Sequence, residues 1–257
     1  MTEIRPVAAL CLIAGSALLS GCGRALDYES ARIFQYAEKT FATAKMPDDF
    51  LKAAALHQEL LDRGLVSGAV LYNQGNAFMR AGQRGRAIAA YRQAERYLGR
   101  DSLLEANLLY ALGNQPAVRR RPLLEHVLFW QDWVSYPKKF PLAAVGVGLT
   151  FSLAIASLFV RRPLLTRLTL TGLLISFLLI FSVAYDWYRY EGKFHGVVVK
   201  NEIIMRKGNT ETYEPVLTAP LEEGTEFVLV ERRNEWLLIR LVGNQEGWVP
   251  ERSAVIY

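Results

Sequence analysis

Two long stretches without a charged residue constrain this chain more than any other feature. Phe140–Val160 holds 21 residues, and Leu168–Tyr185 follows after the short connection RRPLLTR. As a helix, the first stretch would be about 31 Å long, close to the thickness of the hydrocarbon core of a bilayer. The sequence therefore predicts a hairpin of two transmembrane helices, at residues 140–160 and 168–187, joined by a loop at residues 161–167.

Small residues recur along both predicted spans, and small side chains permit close helix packing in lipid. The sequence leaves open whether these residues meet each other or the helices of a partner. No ionisable residue lies well inside either span, so an ion or proton path is not expected. The small residues are Ala144, Gly148, Ser152 and Ala156 in the first span and Gly172, Ser176 and Ala184 in the second.

A shorter apolar run, Val7–Leu19, has the length of the core of a signal peptide. It ends in Leu19-Ser20-Gly21-Cys22, which resembles the bacterial lipobox, an aliphatic and two small residues before a cysteine. The resemblance implies that residues 1–21 are a signal peptide and that Cys22 is the acylated first residue of the mature chain. The alternative is an uncleaved anchor, because Arg5 is the one basic side chain before the run.

The signal peptide and the even number of spans predict the location of the soluble parts. Both would lie on the periplasmic or exterior side of a bacterial cytoplasmic membrane. Arg161, Arg162 and Arg167 then make the tight loop the cytoplasmic one. The net charge of +5 lies largely beside the apolar runs and forms no stripe on one folded domain, so nucleic acid is not an expected partner.

The segment before the first span, residues 116–139, is basic and aromatic. Trp130, Trp133 and Tyr136 precede Lys138 and Lys139, a composition typical of the membrane interface. A solvent-exposed linker would not need three large aromatic side chains so close together. The sequence therefore predicts an interfacial segment that leads into the first span.

Residues 22–115 have helical spacing with few breakers. Within residues 68–101, small side chains at Gly75, Ala87 and Ala94 alternate with the aromatic Phe78 and Tyr91. This pattern resembles the tetratricopeptide repeat, a helix–turn–helix unit of about 34 residues. The resemblance implies an all-α array in which Gly75, Ala87 and Ala94 lie where helices come closest.

Two features depart from the repeat pattern. Gln74 stands where the repeat prefers leucine, and one period before Gly75 the chain has Phe41. A weaker unit is therefore expected at about residues 32–64, and a further helix at residues 102–114. His57, on the apolar face of the weaker unit, is predicted to be a core residue, not a catalytic one.

Arrays of this class commonly bind extended peptides on one face. The positions that would face such a groove are Asn73, Asn76, Arg80 and Asn107. Asn76 and Arg80 are one turn apart and would suit a peptide backbone or a carboxylate. The alternative is that the asparagines merely satisfy helix surfaces.

Residues 194–257 change to the period of short strands separated by turns. Met205-Arg206-Lys207-Gly208, Glu223-Gly224-Thr225 and Glu246-Gly247-Trp248-Val249 resemble the turns of bacterial SH3-like domains, which implies an all-β barrel. Trp248 is expected in its core. Trp236, near Arg240, is either a ligand platform or a packing residue of a strand.

The order of these parts, from lipobox to barrel, resembles the BatE-type proteins of the Bacteroides-aerotolerance family. The resemblance implies partnership with von Willebrand A-type membrane proteins and a MoxR-type ATPase in envelope stress tolerance. No cofactor, metal or catalytic residue is expected, since the three histidines stand apart and no nucleophile–base spacing or phosphate loop accompanies them. The favoured function is a non-catalytic membrane adaptor. The alternative is a module that binds the cell wall, peptidoglycan, through the barrel.

Overall fold

A computed structural model of the chain describes residues 28–113, 130–160 and 162–257. The described residues divide into two compact units, one at Val134–Arg189 and the other at residues 28–113, 130–133 and 190–257. The predicted signal peptide, Cys22 and most of the predicted interfacial segment lie outside the described residues. The architecture is a helical region, two long apolar helices and a C-terminal antiparallel sheet.

Five helices form the first part of the larger unit. The ends of these helices follow from the local sequence. The Ser67 side chain caps one helix by accepting a hydrogen bond from the backbone N–H of Val70 at 3.3 Å. The Asp101 side chain caps another by accepting from the backbone N–H groups of Leu103 and Leu104, both at 2.9 Å. The glycines between successive helices take positive φ, +82° at Gly64 and +78° at Gly82. The helices are α1 Tyr28–Thr43, α2 Pro47–Asp62, α3 Gly68–Arg80, α4 Arg84–Leu98 and α5 Ser102–Leu112.

The C-terminal sheet of the same unit has the strand order β4-β3-β2-β1-β5, with every neighbouring pair antiparallel. Val198, Phe227, Leu237 and Ile239 share one buried core with Val249. Trp248 is 9% exposed and lies outside this cluster, with the guanidinium of Arg233 5.7 Å from its ring centre. The strands are β1 His195–Val198, β2 Glu226–Arg233, β3 Trp236–Arg240, β4 Glu246–Pro250 and β5 Ala254–Ile256.

A buried ion pair joins the helices to this sheet. Arg92 on α4 donates two hydrogen bonds to Glu226 at the start of β2, 2.7 Å from Nε to Oε1 and 3.0 Å from Nη2 to Oε2. Tyr257 donates its hydroxyl to the same carboxylate, at 2.8 Å. Burial alone would lower the pKa of Arg92, but the carboxylates of Glu95 and Glu226 outweigh it and hold that pKa above its usual value. Burial, with the Glu226 charge, also raises the pKa of Tyr257, so both donors keep their protons.

A second contact lies at the N-terminal end of α4. Gln83, which precedes the helix, makes no capping hydrogen bond with its side chain. Instead the backbone N–H of Gly85 donates to Oε1 of Glu223 at 2.8 Å, and Arg84 donates to the Glu223 carbonyl. A carboxylate is favourable at the positive end of the helix dipole. A side chain at Gly85 would also place Cβ 2.9 Å from Cα of Val199, so only glycine fits here.

The smaller unit is built from two helices, α6 Tyr136–Phe159 and α7 Pro163–Glu191 up to its residue Arg189, and both helices are long and apolar enough to cross a membrane. At one end of the pair, Lys139 and Asp186 form an ion pair of 2.5 Å, with each side chain at most 5% exposed. Further along, Ser176 and Thr150 share a hydrogen bond of 3.0 Å, and Thr150 lies against Gly172. These contacts define the seam between the two helices.

The contacts along the seam show which of the small residues meet the other helix of the pair. Gly172 and Ser176 of the second predicted span lie on it, whereas Ala144 and Ala184 are exposed. A Cβ added at Gly148 would meet no atom within 4 Å. Helix α6 begins at Tyr136, before the predicted first span, and so includes Lys139, whereas Asp186 lies within the predicted second span. The two opposite charges neutralise each other, which makes their burial between the helices tolerable.

Prediction one concerns the buried ion pair of Arg92 and Glu226. Glu226→Leu leaves the buried Arg92 without its bidentate partner and should lower the free energy of unfolding by about 3–5 kcal/mol. Glu246→Leu is the matched control, because it removes an ion pair with the partly exposed Arg240 from the same sheet and should cost less than about 1 kcal/mol. Thermal unfolding in detergent compares the two. Equal losses would show that the buried pair is not the stronger restraint.

Prediction two concerns His57, which is fully buried and has no hydrogen bond from either ring nitrogen to any described residue. Burial lowers its pKa from 6.5 to about 4. Between these values the unfolded chain binds the extra proton, so stability should fall as the pH falls, by about 2 kcal/mol at pH 5.

His57→Leu should remove this part of the pH dependence. Urea unfolding at pH 7 and pH 5 measures it, and the slope due to carboxylates is common to both proteins. If the variant loses as much stability as the parent between these pH values, His57 does not titrate as proposed.

Candidate functional site

The predicted groove residues lie on one face of the helical region, formed by α1, α3 and α5. Asn76 accepts hydrogen bonds at Oδ1 from the Tyr91 hydroxyl (2.8 Å) and from Nδ2 of Asn107 (3.0 Å). Asn107 Nδ2 also donates to the Tyr72 hydroxyl at 2.9 Å. A Cβ at Gly75 would lie 2.5 Å from the Tyr91 ring, so the glycine allows this tyrosine to reach Asn76. Three helices are thereby joined by one polar network.

Tyr91 is the buried member of that network. Its side chain is 1% exposed, and burial raises its pKa above the usual value of 10, so the phenol stays a hydrogen-bond donor to Asn76. Ala87 and Ala94, on the same helix, are fully buried. The buried Tyr91 thus holds Asn76 in position from the interior of the helical region.

Asn73 connects the face to α1. Its Nδ2 donates to Oε1 of Glu38 at 2.7 Å. A carboxylate accepts and does not donate, so this bond fixes the orientation of the amide and turns Oδ1 away from Glu38. Glu38 also lies 3.6 Å from Nε2 of His57, which is beyond hydrogen-bond distance.

Arg80 is the exposed residue of the four. Its guanidinium lies 5.2 Å from the ring centre of Phe50, and it has no ion pair with any described residue. Cation–π contact orients the side chain and leaves its N–H donors available to a ligand.

Each of the three asparagines uses one end of its amide within the protein. The hydrogen bonds engage Nδ2 of Asn73, Oδ1 of Asn76 and Nδ2 of Asn107. The opposite end of each amide makes no hydrogen bond with the described residues: Oδ1 of Asn73, Nδ2 of Asn76 and Oδ1 of Asn107. This face therefore presents acceptors and a donor in fixed positions, beside an unpaired arginine. Such an arrangement suits a peptide backbone, which alternates donors and acceptors.

The two candidates on the sheet do not form one site. Trp236 begins β3 and Arg240 ends it, about 13 Å apart along an extended strand. Arg240 forms an ion pair of 2.6 Å with Glu246, its partner residue on β4. Trp236 is half-buried and borders a cavity of about 450 Å³ with Pro250, Arg252 and three glutamates.

Within the described part of the chain, no group of three or more His, Cys, Asp or Glu side chains is placed to hold a metal ion. Cys22 and His126 lie outside the described residues.

Sequence reasoning missed two members of the network. Neither Tyr72 nor Glu38 is one of the positions that define the repeat pattern. Tyr72 nevertheless orients the amide of Asn107, and Glu38 orients that of Asn73. Glu38 lies 35 residues before Asn73, and Tyr72 lies 35 residues before Asn107. This shared separation, close to the period of about 34 residues, is the signal that would have found them.

Comparison of the chain with protein-family models, with curated proteins and with solved structures finds no match.

Proposed function

We propose that the protein is a membrane-anchored, non-catalytic adaptor that binds segments of partner proteins on the face of α1, α3 and α5. The observation that carries the proposal is the set of amide ends that Asn73, Asn76 and Asn107 hold in place and leave unbonded, next to Arg80. In this proposal the helical region is a tetratricopeptide array and the sheet an SH3-like domain.

The membrane anchor of this adaptor is the pair α6 and α7, with Cys22 as an additional lipid attachment point. Both soluble parts lie on the periplasmic side in this proposal, because the signal peptide exports the chain and two spans return it. Support comes from the length and apolar character of the two helices. The partners proposed from the family resemblance are von Willebrand A-type membrane proteins and a MoxR-type ATPase, in a Bat-type complex for envelope stress.

A second function, binding of the cell wall through the sheet, has one observation in its favour. The cavity beside Trp236 combines an indole with Glu211, Glu235 and Glu251. Glu211 and Glu251 form ion pairs with Arg252 and Arg232, so Glu235 is the carboxylate that, beside the aromatic ring, suits an ammonium group, such as an amine of a peptidoglycan peptide.

Prediction three separates these functions. Arg80→Ala should reduce partner recovery about ten- to a hundredfold, the scale of one charge-assisted hydrogen bond, while stability changes by no more than about 0.5 kcal/mol. Arg32→Ala is the matched control, since Arg32 is also an exposed arginine over an aromatic ring, that of Tyr28. Affinity purification from detergent-solubilised membranes, with identification by mass spectrometry, gives the readout.

Recovery of membrane proteins and an ATPase that depends on Arg80 supports the adaptor. Partner levels that are the same for Arg80→Ala, Arg32→Ala and the parent would overturn it. Recovery of peptidoglycan fragments that is lost in Trp236→Ala would instead favour the cell-wall function.

A further inference from the structure

Gln74 is buried where the repeat pattern prefers leucine. It lies on α3, is 4% exposed, and borders a cavity of about 600 Å³ that residues of α2 and α4 also line. A buried amide is costly unless its polar atoms are hydrogen-bonded. Each polar atom of this side chain therefore needs a hydrogen-bond partner.

A chain of hydrogen bonds fixes the direction of the Gln74 amide. The carboxylate of Asp62 accepts from Nε2 of Gln58 at 2.9 Å, and Oε1 of Gln58 then accepts from Nε2 of Gln74 at 2.9 Å. The Gln74 nitrogen also lies 3.4 Å from the carbonyl oxygen of Ala54, which accepts as well. Because Asp62 only accepts, both amides are held in one orientation. Oε1 of Gln74 is left as an acceptor without a hydrogen bond from any described residue.

The helix α4 contributes the complementary group. Arg86 borders the same cavity, with its guanidinium 5.8 Å from the Phe78 ring centre, and forms no ion pair with the described residues. Ala54, Ala89 and Ala90 supply small side chains to the cavity wall. The cavity thus places the Gln74 acceptor and the Arg86 cation beside a surface that a backbone can approach closely.

We infer that this cavity binds an extended peptide segment of a partner protein. A backbone N–H of the peptide donates to Oε1 of Gln74, and a backbone carbonyl of the peptide accepts from Arg86. Glu59 and Asp62 on the rim disfavour a phosphate or nucleic acid, whereas a purely cationic ligand would leave Arg86 unpaired. This surface is separate from the face of Asn76 and Arg80, so the inference goes beyond the proposed adaptor site.

Prediction four uses peptides as the probe. Heptapeptides are selected from a random displayed library on the full-length protein in detergent, with counter-selection on detergent micelles without protein, and are then synthesised with a fluorescent label. Gln74→Leu restores the residue of the repeat and removes the acceptor. It should weaken peptide binding about tenfold, the scale of one hydrogen bond, without lowering the melting temperature.

Arg86→Gln should give a similar loss of binding, because it removes the cation that donates to the peptide. Since the Arg86 side chain is exposed, the melting temperature should stay unchanged. Arg32→Ala is the control and should bind the selected peptides as the parent does, because Arg32 borders neither this cavity nor the Asn76 network. Arg80→Ala is included to report peptides that bind the other face, and anisotropy titrations and melting curves are compared for all five proteins.

Three results would overturn the inference. In the first, no peptide is enriched over the counter-selection. In the second, the peptides bind Gln74→Leu as tightly as the parent or are lost with Arg80→Ala alone, which would place them on the other face. In the third, the parent self-associates in sedimentation and Gln74→Leu does not, which would make a second copy the occupant. Failure of the Arg80 experiment leaves this one unaffected.

Discussion

The buried pair of Arg92 and Glu226 is the restraint on which the larger unit depends. An isolated ion in a protein interior costs several kcal/mol, and each of these two side chains is less than a tenth exposed. Only bidentate geometry, with Tyr257 and Glu95 as further partners, makes their burial tolerable. The pair therefore forms in one arrangement of helix and sheet, and any sliding of α4 along β1 and β2 would break it.

A second anchor on the same two elements removes the remaining freedom. Gly85 and Arg92 are seven residues apart on a helix, or about 10 Å. Glu223 lies in the turn that precedes β2, and Glu226 is the first residue of that strand. One short segment of the chain therefore supplies both carboxylates: Glu223 accepts at the N-terminal end of α4, and Glu226 neutralises its arginine. Helical region and sheet act as one body in this unit.

The sequence was informative where a contact depends on residues close in the chain. The uncharged runs predicted the two apolar helices. The repeat spacing singled out Gly75, which lies against Tyr91 of α4, and Ala87 and Ala94, which are fully buried. It was silent on Glu223 and Glu226, because their partners lie 138 and 134 residues away and no periodicity relates them.

The candidate site shows the same division. Repeat spacing selected Asn73, Asn76 and Asn107, but not which end of each amide is used within the protein, since that depends on Glu38 and two tyrosines. The seam of α6 and α7 was equally hidden. Small residues line more than one face of the first helix, and polar pairs such as Thr150 with Ser176 decide which face is used.

Helix α4 explains how one unit offers two separate binding faces. Gly85 and Arg92, together with Ile88 near Gly224, face the sheet. Tyr91 faces α3, and the fully buried Ala87 and Ala94, four residues before it and three after it, lie on the same stripe. The third side, at Arg86, Ala89, Ala90 and Gln93, borders the cavity of Gln74. These sets recur every three or four residues, so each occupies its own stripe of the helix.

Four consecutive residues of α3 divide in the same way, because each step along a helix turns the side chain by about 100°. Asn73 and Asn76 are three residues apart and share the face of α1 and α5, and Arg80 follows one turn later on the same stripe. Gly75 turns to Tyr91, and Gln74 turns to α2. The departure from leucine at Gln74 therefore leaves the asparagine face unchanged. It alters only the opposite surface, which is why the two faces can be tested by single substitutions within one short stretch of helix.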